Sequence, residues 1–272
     1  YINKKYKLNA NNFKELFINS NQLRRKVLSI LNLRPENRGM QLIKNKTNYL
    51  IDTLKNFTTN KGMIITFSGV DGAGKTTVIS NFKKVVEKKY RREVVLVRHR
   101  PGILPILSAV KVGKKEAEKQ AGVNLPRQGK NKSLISSTLR FGYYFADYLF
   151  GQFYIYFKYV LWGKVVLYDR YYFDFINDAK RSNIILNRKL IKRLYAFVWK
   201  PNLNFFLYAD AEVILKRKQE LKSADITSLT HQYQELFDGY NKKQTKGIYQ
   251  AIQNHDFEST MEAVESSFRQ VS

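Results

Sequence analysis

Residues 69–76, Gly69-Val70-Asp71-Gly72-Ala73-Gly74-Lys75-Thr76, form a complete G-x-x-x-x-G-K-[ST] run. Glycines at these positions let the backbone curl until several amide hydrogens converge on one phosphate. A helix beginning at the end of the run would add the positive end of its dipole. The Lys75 ammonium can then reach the outer phosphates of a nucleoside triphosphate, and the Thr76 hydroxyl is placed to ligate Mg²⁺. The flanks agree with this chemistry. Met63-Ile64-Ile65-Thr66-Phe67 reads as a short buried strand. From Thr76 to Tyr90, Val78, Phe82, Val85 and Val86 oppose Lys83, Lys84, Lys88 and Lys89, the pattern of an amphipathic helix. Strand, glycine loop and helix in that order predict a nucleoside triphosphate site.

Other groups stand at positions where they can serve the same phosphates. Asp71 lies inside the loop, suited to accept a hydrogen bond from an acceptor hydroxyl. Asp169-Arg170-Tyr171 directly follows a predicted strand; its carboxylate can hold Mg²⁺ and its guanidinium can clamp a phosphate bidentately. Arg98-His99-Arg100-Pro101-Gly102 follows another strand, at the sheet edge where ligands of α/β proteins bind. The variable loop positions Val70, Gly72 and Ala73 carry no cation, so Arg217, Lys218 or Lys222, beyond a fourth strand, are expected to close over the triphosphate.

These groups need a scaffold. Strands are predicted at 93–98, 164–169 and 203–208, with a weaker one at 247–252. Helices are predicted over 134–162, 188–198, 211–221, 228–241 and 257–268. The alternation implies an α/β fold of the P-loop NTPase type, an open parallel sheet wrapped by helices. A long loop is expected over 110–132. Residues 1–60 differ: polar, rich in Asn and Lys, with apolar residues at helical spacing (Phe13, Leu16, Phe17; Leu23, Val27, Leu28, Ile30, Leu31; Leu42, Ile43, Leu50, Ile51, Leu54). They read as an N-terminal helical appendage, joined by a linker at 56–62 to a domain over 61–272.

Composition narrows the classes. The 272 residues contain no cysteine and three histidines, which excludes disulfides and thiolate metal sites and argues against zinc. A reducing, cytoplasmic setting fits. Forty-eight basic against 22 acidic residues give a formal charge of +26, a field that attracts polyanions, an anionic membrane face or a phosphorylated substrate. The chain opens on Tyr1, not Met, as a fragment or processed product would, and its start does not have the pattern of a signal peptide. The aromatic stretch 141–162 carries Asp147, Gln152 and Lys158 and is expected to be a buried core helix, not a membrane span.

Taken together, the chain resembles the thymidylate kinase family of P-loop nucleoside monophosphate kinases over residues 62–272. Phe67 to Thr77 looks like that family's phosphate loop, inner aspartate included, and Tyr168-Asp169-Arg170-Tyr171 like its Asp-Arg-Tyr motif. Pro201-Asn202-Leu203 with Phe206-Leu207 and Asp210 is similar to its Pro-Asp-Leu-strand-Asp run, and Arg217 matches the basic residue that opens its lid. The resemblance implies ATP held by Gly69, Asp71, Gly72, Ala73, Gly74, Lys75, Thr76 and Thr77, Mg²⁺ on Thr76 and Asp169, and catalysis by Lys75, Asp71, Asp169, Arg170 and Arg217. The acceptor, a nucleotide or phosphorylated small molecule, is expected against Arg98, Arg100, Tyr148, Tyr171 and Asp174; homodimerisation and contact of the basic surface with membranes or polyanions are further expectations.

The chain departs from the family where the acceptor is read. His99-Arg100-Pro101-Gly102 replaces an Arg-Glu-Pro-Gly run, and Ala146-Asp147-Tyr148 replaces Ala-Asp-Arg. Beyond Asp169-Arg170-Tyr171 the family places small residues, then a tyrosine and a glutamine. Here the run is Tyr172-Phe173-Asp174-Phe175-Ile176-Asn177-Asp178-Ala179-Lys180-Arg181. The phosphotransfer half is thus retained and the thymine-reading half is not. Two alternatives stay open: a sugar or glycolipid acceptor, as in relatives linked to surface polysaccharide synthesis, and a nucleotide-gated module that docks on nucleic acid or membrane.

Overall fold

A computed structural model describes residues 25, 28–30, 34, 38–59, 62–105, 133–218 and 221–272. The chain divides into two compact units, Tyr1–Thr59 and Asn60–Ser272. In the first, a helix α1 spans Gly39–Thr59, so helix continues into the stretch expected to be linker. The helices expected over 13–31 fall mostly outside the described residues, as does the long loop expected over 110–132.

In the second unit, five parallel strands run β1 (Met63–Ser68), β2 (Val94–Arg98), β3 (Val165–Asp169), β4 (Leu203–Tyr208) and β5 (Ile248–Gln253). Their order in space is β2-β3-β1-β4-β5. Phe67 lies level with Asp169, and Arg98 with Asp169, so the carboxyl ends of β1, β2 and β3 stand side by side. The chain leaves β1 for β2 on one flank and later reaches β4 on the other. That reversal of direction opens a crevice above β1, where ligands of such sheets bind.

Period-two alternation explains why the sheet is covered on both faces. Met63, Ile65 and Phe67 of β1 join Val165, Leu167, Leu203, Phe205 and Leu207 in one core. There α2 (Lys75–Lys88) and α8 (Phe257–Val271) contribute Val78, Phe82, Val86 and Phe268. Ile64, Val166, Tyr168 and Phe206 face a second, aromatic core. It is filled from α3 (Leu134–Ile155, continued by a π turn at Tyr156–Val160), α4 (Phe173–Asn177), α5 (Arg188–Leu194) and α7 (Ser223–Lys242). A short α6 (Ala211–Arg217) follows β4.

Several boundaries differ from expectation for local reasons. The predicted 134–162 helix loosens to a π turn at 156. The predicted 188–198 helix tightens to a 3₁₀ turn at Tyr195–Phe197. The helix expected to reach 221 ends at Arg217, where Lys218 adopts an extended conformation, while α7 starts earlier, at Ser223, and α4 had no counterpart in the sequence reading. The aromatic stretch is only half a core helix: Phe141, Tyr148, Gly151 and Ile155 are buried, but Phe150, Phe153, Phe157 and Trp162 are exposed. Among the described residues, no helix is long and apolar enough to cross a membrane.

Candidate functional site

The glycine loop leaves β1 and turns into α2 as its residue types dictate. Gly69, Gly72 and Gly74 all have positive φ, at 150°, 92° and 82°. Close contact adds a second requirement: a side chain at Gly69 would meet the Leu207 carbonyl oxygen, and one at Gly74 the Asn254 amide, each within 2.3 Å. Gly74 caps α2 without a side-chain acceptor, so the first amides of the helix face the crevice side of the loop. Asn254 braces the turn from beyond β5, its Nδ2 donating to the Ala73 carbonyl at 2.8 Å and its Oδ1 accepting from Thr260 at 3.0 Å.

A cavity of about 680 Å³ opens over this turn. Thr76, Thr77, Asp169, Arg170, Arg181 and Arg217 contribute to its lining, together with Asp71, Lys75 and Lys218. Loop, strand end and basic helix, which sequence order keeps far apart, therefore meet in one place. Arg217 also donates to the Gly72 carbonyl at 3.3 Å. Lys222, the third basic candidate, does not line this cavity.

The charges inside it are tightly interlocked. Lys75 is buried, and its Nζ donates to the carbonyls of Gly69 at 2.8 Å and Val70 at 2.9 Å. Burial, assisted by the neighbouring Arg170 guanidinium, lowers its pKa to about 7, against the partial support of Asp71. Asp71 accepts from both Arg170 and Arg181 and lies 3.9 Å from Lys75. Burial by itself would raise its pKa, but Arg170, Lys75 and Arg181 override that and hold the carboxyl well below the usual range. Arg170 donates in addition to Asp174 at 2.7 Å and to the Gly69 carbonyl at 3.3 Å. The backbone bends sharply where this happens: Arg170 and His99, each the first residue after a strand, have φ of 77° and 67°. Strain of that kind, held in place by surrounding structure, clusters at functional sites.

Several predicted substrate contacts are not open to a ligand. Tyr148 is buried and donates to the His99 carbonyl; Tyr171 is buried and donates to the Trp199 carbonyl at 2.8 Å. Both phenols belong to the core. Asp174, 1% exposed, is the counter-ion of Arg170 and accepts from Tyr233 at 2.7 Å, so it is part of the support beneath the site. Arg98 is exposed at the end of the edge strand β2 and does not line the phosphate cavity. Asp71, expected to orient an acceptor hydroxyl, is instead occupied with two arginines. His99 is pushed down to about 4 by burial and stays neutral near pH 7.

Arg100 is likewise committed. Its Nη1 donates to Asp147 at 2.8 Å, and Asp147, fully buried on α3, also accepts from the Gly102 and Leu104 amides at 2.9 and 2.8 Å. One carboxylate therefore fastens the whole turn after β2 to α3, at the position where the sequence reading noticed only a missing arginine beside it. Replacing Asp147 with alanine strands a guanidinium and two amides, and is expected to cost about 3 kcal/mol, read as a lower urea midpoint. A urea midpoint indistinguishable from that of the parent would contradict this account of the turn.

Two residues of the site, Arg181 and Asn254, were not among those expected from the sequence. Arg181 sits on the 3₁₀ turn Ala179–Ser182 and pairs with Asp71 across 110 positions; Asn254 follows β5 as Arg170 follows β3. Position immediately beyond a parallel strand was the signal available for Asn254; nothing in the sequence marked Arg181.

No protein-family model matches the chain. Among curated proteins it is similar to probable thymidylate kinase 2 of Saccharolobus solfataricus, 27% identical over 168 residues, or 60% of this chain. The match spans 66% of that relative's length. Solved structures with a likeness include thymidylate kinase from Ehrlichia chaffeensis, 21% identical with a TM-score of 0.48, covering 77% of this chain and 99% of that one. Another is thymidylate kinase from Candida albicans, 17% identical with a TM-score of 0.48, covering 77% and 92%.

Proposed function

We propose that this low-identity homologue of the thymidylate kinases is an ATP- and Mg²⁺-dependent phosphotransferase acting on a nucleoside monophosphate or a related phosphorylated acceptor. The observation that carries the reading is the convergence of Lys75, Arg170, Arg181, Arg217 and Lys218 on one cavity floored by the glycine loop. The loop amides and Lys75 would grip the triphosphate tail. Arg217, from α6, would cover the outer phosphates, and Arg170 and Arg181 would receive the acceptor's phosphate from the opposite side.

Thr76 and Asp169 both line the cavity and would hold the metal. Among the described residues, no group of three His, Cys, Asp or Glu side chains could hold a metal unaided. That donor set suits Mg²⁺, which takes one or two protein oxygens and completes its shell with phosphate and water. When bound, the ion would neutralise charge on the transferred group. In the reaction an acceptor oxygen forms a bond to the γ-phosphorus while the bond to the β–γ bridging oxygen breaks, and ADP leaves with the electron pair. This chain's part is to align those atoms and balance their charge. Asp71 contributes indirectly: by pairing with Arg170 and Arg181 it holds both guanidinium groups at the cavity wall.

The depressed Lys75 pKa supplies a direct test. Above about pH 7 the free protein carries Lys75 largely neutral, and an adjacent triphosphate would restore its charge. Binding of a non-hydrolysable Mg·ATP analogue should take up close to one proton at pH 8 and close to none at pH 6. Calorimetry in two buffers of different ionisation enthalpy measures that number. Absence of affinity for the analogue at any pH would end the proposal, and binding without uptake at pH 8 would remove Lys75 from it.

A further inference from the structure

Away from the phosphate cavity, the second unit carries a row of aromatic rings on its outside. Phe150, Phe153 and Phe157 recur at spacings of four and three along α3 and the π turn that continues it, so they share one side. Trp162 stands in the turn just beyond, and Phe197 on the 3₁₀ turn after α5. Gln152 joins the two elements. Its Nε2 donates to the Phe197 carbonyl at 3.4 Å and its Oε1 accepts from the Trp199 amide at 2.7 Å, which brings that turn alongside Phe153. All five rings are more than half exposed, and none lines the phosphate cavity. One exposed phenyl is ordinary on a folded surface; five on adjoining elements mark an interaction site.

The charge around these rings has one sign. Residues 148–168 contain two lysines and residues 179–209 seven lysines and arginines, and neither segment has an aspartate or glutamate. Lys158, Lys189 and Arg193 are exposed. Lys158 lies over the Tyr154 ring, 4.7 Å from its centroid, and over the Tyr159 ring at 5.3 Å, so its stem follows aromatic surface while the ammonium stays at the edge. On α5 the four-residue step from Lys189 to Arg193 sets both on one side, opposite the buried Ile191.

We propose that this face docks on an anionic lipid bilayer, with the rings seated among the headgroups and Lys158, Lys189 and Arg193 paired with lipid phosphates. The contact lies along the membrane surface; no helix among the described residues is long and apolar enough to cross it. Ring chemistry and charge select the same partner. Aromatic side chains settle at the headgroup level, and cations beside them are drawn to a negative leaflet. A second copy of this chain fits less well. A two-fold interface would lay the patch against itself and bring its cations together, with no carboxylate in either segment to answer them. The inference stands apart from the phosphotransfer reading, because it uses no residue placed in that site.

Flotation of the full chain with vesicles tests it, using phosphatidylcholine alone or with about a third phosphatidylglycerol. The parent protein should bind the anionic vesicles at least tenfold more tightly than the neutral ones. Tryptophan emission should shift to the blue as Trp162 leaves water. Phe150→Ser, Phe153→Ser and Phe157→Ser together should weaken binding tenfold or more. Lys158→Gln, Lys189→Gln and Arg193→Gln together should erase the preference for anionic lipid. Lys83→Gln, Lys84→Gln and Lys88→Gln, on α2 at the other face of the sheet, remove the same charge elsewhere and should change binding less than twofold. Absence of binding to anionic vesicles, or a serine variant that binds as the parent does, would overturn the proposal. So would an equal loss in the α2 variant, which would reduce the effect to net charge. Light scattering covers the rival occupant: a dimer that the serine variant dissociates, without vesicle binding by either protein, would assign the face to a second copy.

Discussion

Lys75→Met is expected to lower kcat by at least about 10²–10³ and, at the same time, to leave the protein as stable as its parent or more so near pH 6. The two effects have one cause. The Lys75 ammonium is buried beside Arg170 and folded onto the carbonyls of Gly69 and Val70 at a free-energy cost that, on the proposed reading, a bound polyphosphate would offset. Its pKa is lowered from 10.5 to about 7. Between those values the unfolded chain binds more protons than the folded one, so the wild-type protein gains stability as pH rises from about 7 to 10.5. Below pH 7 both states are protonated and the full cost is present. Methionine fills similar volume without the charge. The stability advantage of the variant should therefore be greatest below pH 7 and fade toward pH 10.5, a trend that urea titrations at several pH values can follow. Kinetics in a coupled ADP-release assay supply the other half. Undiminished turnover by Lys75→Met would remove the central assignment, and a variant less stable than the parent at pH 6 would show that the carbonyl contacts outweigh the desolvation.

How much of this was legible beforehand depends on the range of the interaction. The glycine loop is a local device: small residues, a lysine and a threonine at fixed spacing, with a strand before and a helix after, and its neighbours alone determine what it does. Strand ends are nearly as legible, because alternating or continuous apolar runs stop where the chain emerges at the sheet edge; Asp169, Arg170 and the turn at 98–102 were found in that way. Helix limits were less so. Ser223 opens α7 without a strong apolar pattern, and α6 is cut short at Arg217 by a turn in Lys218. Pairing across the fold was not legible at all. Asp174 read as a substrate carboxylate because it follows the Asp-Arg-Tyr run, yet Arg170, four positions earlier, claims it. Asp71 read as an acceptor for a substrate hydroxyl until Arg181, 110 positions later, proved to share it. Tyr148 read as pocket lining because tyrosine serves in both settings, and its depth in the core is set by Tyr171, Tyr172 and Phe175 packed around it. Asp147 looked like a lone charge in an aromatic helix; only the returning chain at Gly102 and Leu104 gives it partners.

Arg170 is where those long-range pairings concentrate, and Arg170→Met should be the most damaging single change to the fold. The guanidinium, itself nearly buried, stands between Asp71 and Asp174 and donates to both. Its removal leaves Asp71 with Arg181 and Lys75, which is tolerable, but leaves Asp174, at 1% exposure, with the Tyr233 hydroxyl as its side-chain hydrogen-bond donor among the described residues. Breaking one side of such a buried pair costs about 3–5 kcal/mol at pH 7. The pH dependence identifies the culprit. In the parent, burial would raise the pKa of Asp174, but Arg170 wins and lowers it, so the pair stabilises the fold above the ordinary carboxylate range and fades as acid protonates it. Without Arg170 the burial effect is opposed only by the weaker influence of His99 and the Tyr233 hydrogen bond, and the carboxyl titrates higher. The gap between parent and variant should accordingly shrink as pH falls below about 5 and widen toward neutrality. Arg170→Met combined with Asp174→Asn removes both charges, keeps an acceptor for Tyr233, and should recover more than half of the lost stability in a double-mutant cycle. Phosphotransfer should not recover with it, since the arginine proposed to receive the acceptor's phosphate is absent from both proteins. A double variant no more stable than Arg170→Met would show that Asp174 is not the stranded charge. One that regained activity would show that Arg170 acts only as structure, and the acceptor phosphate would then fall to Arg181 alone.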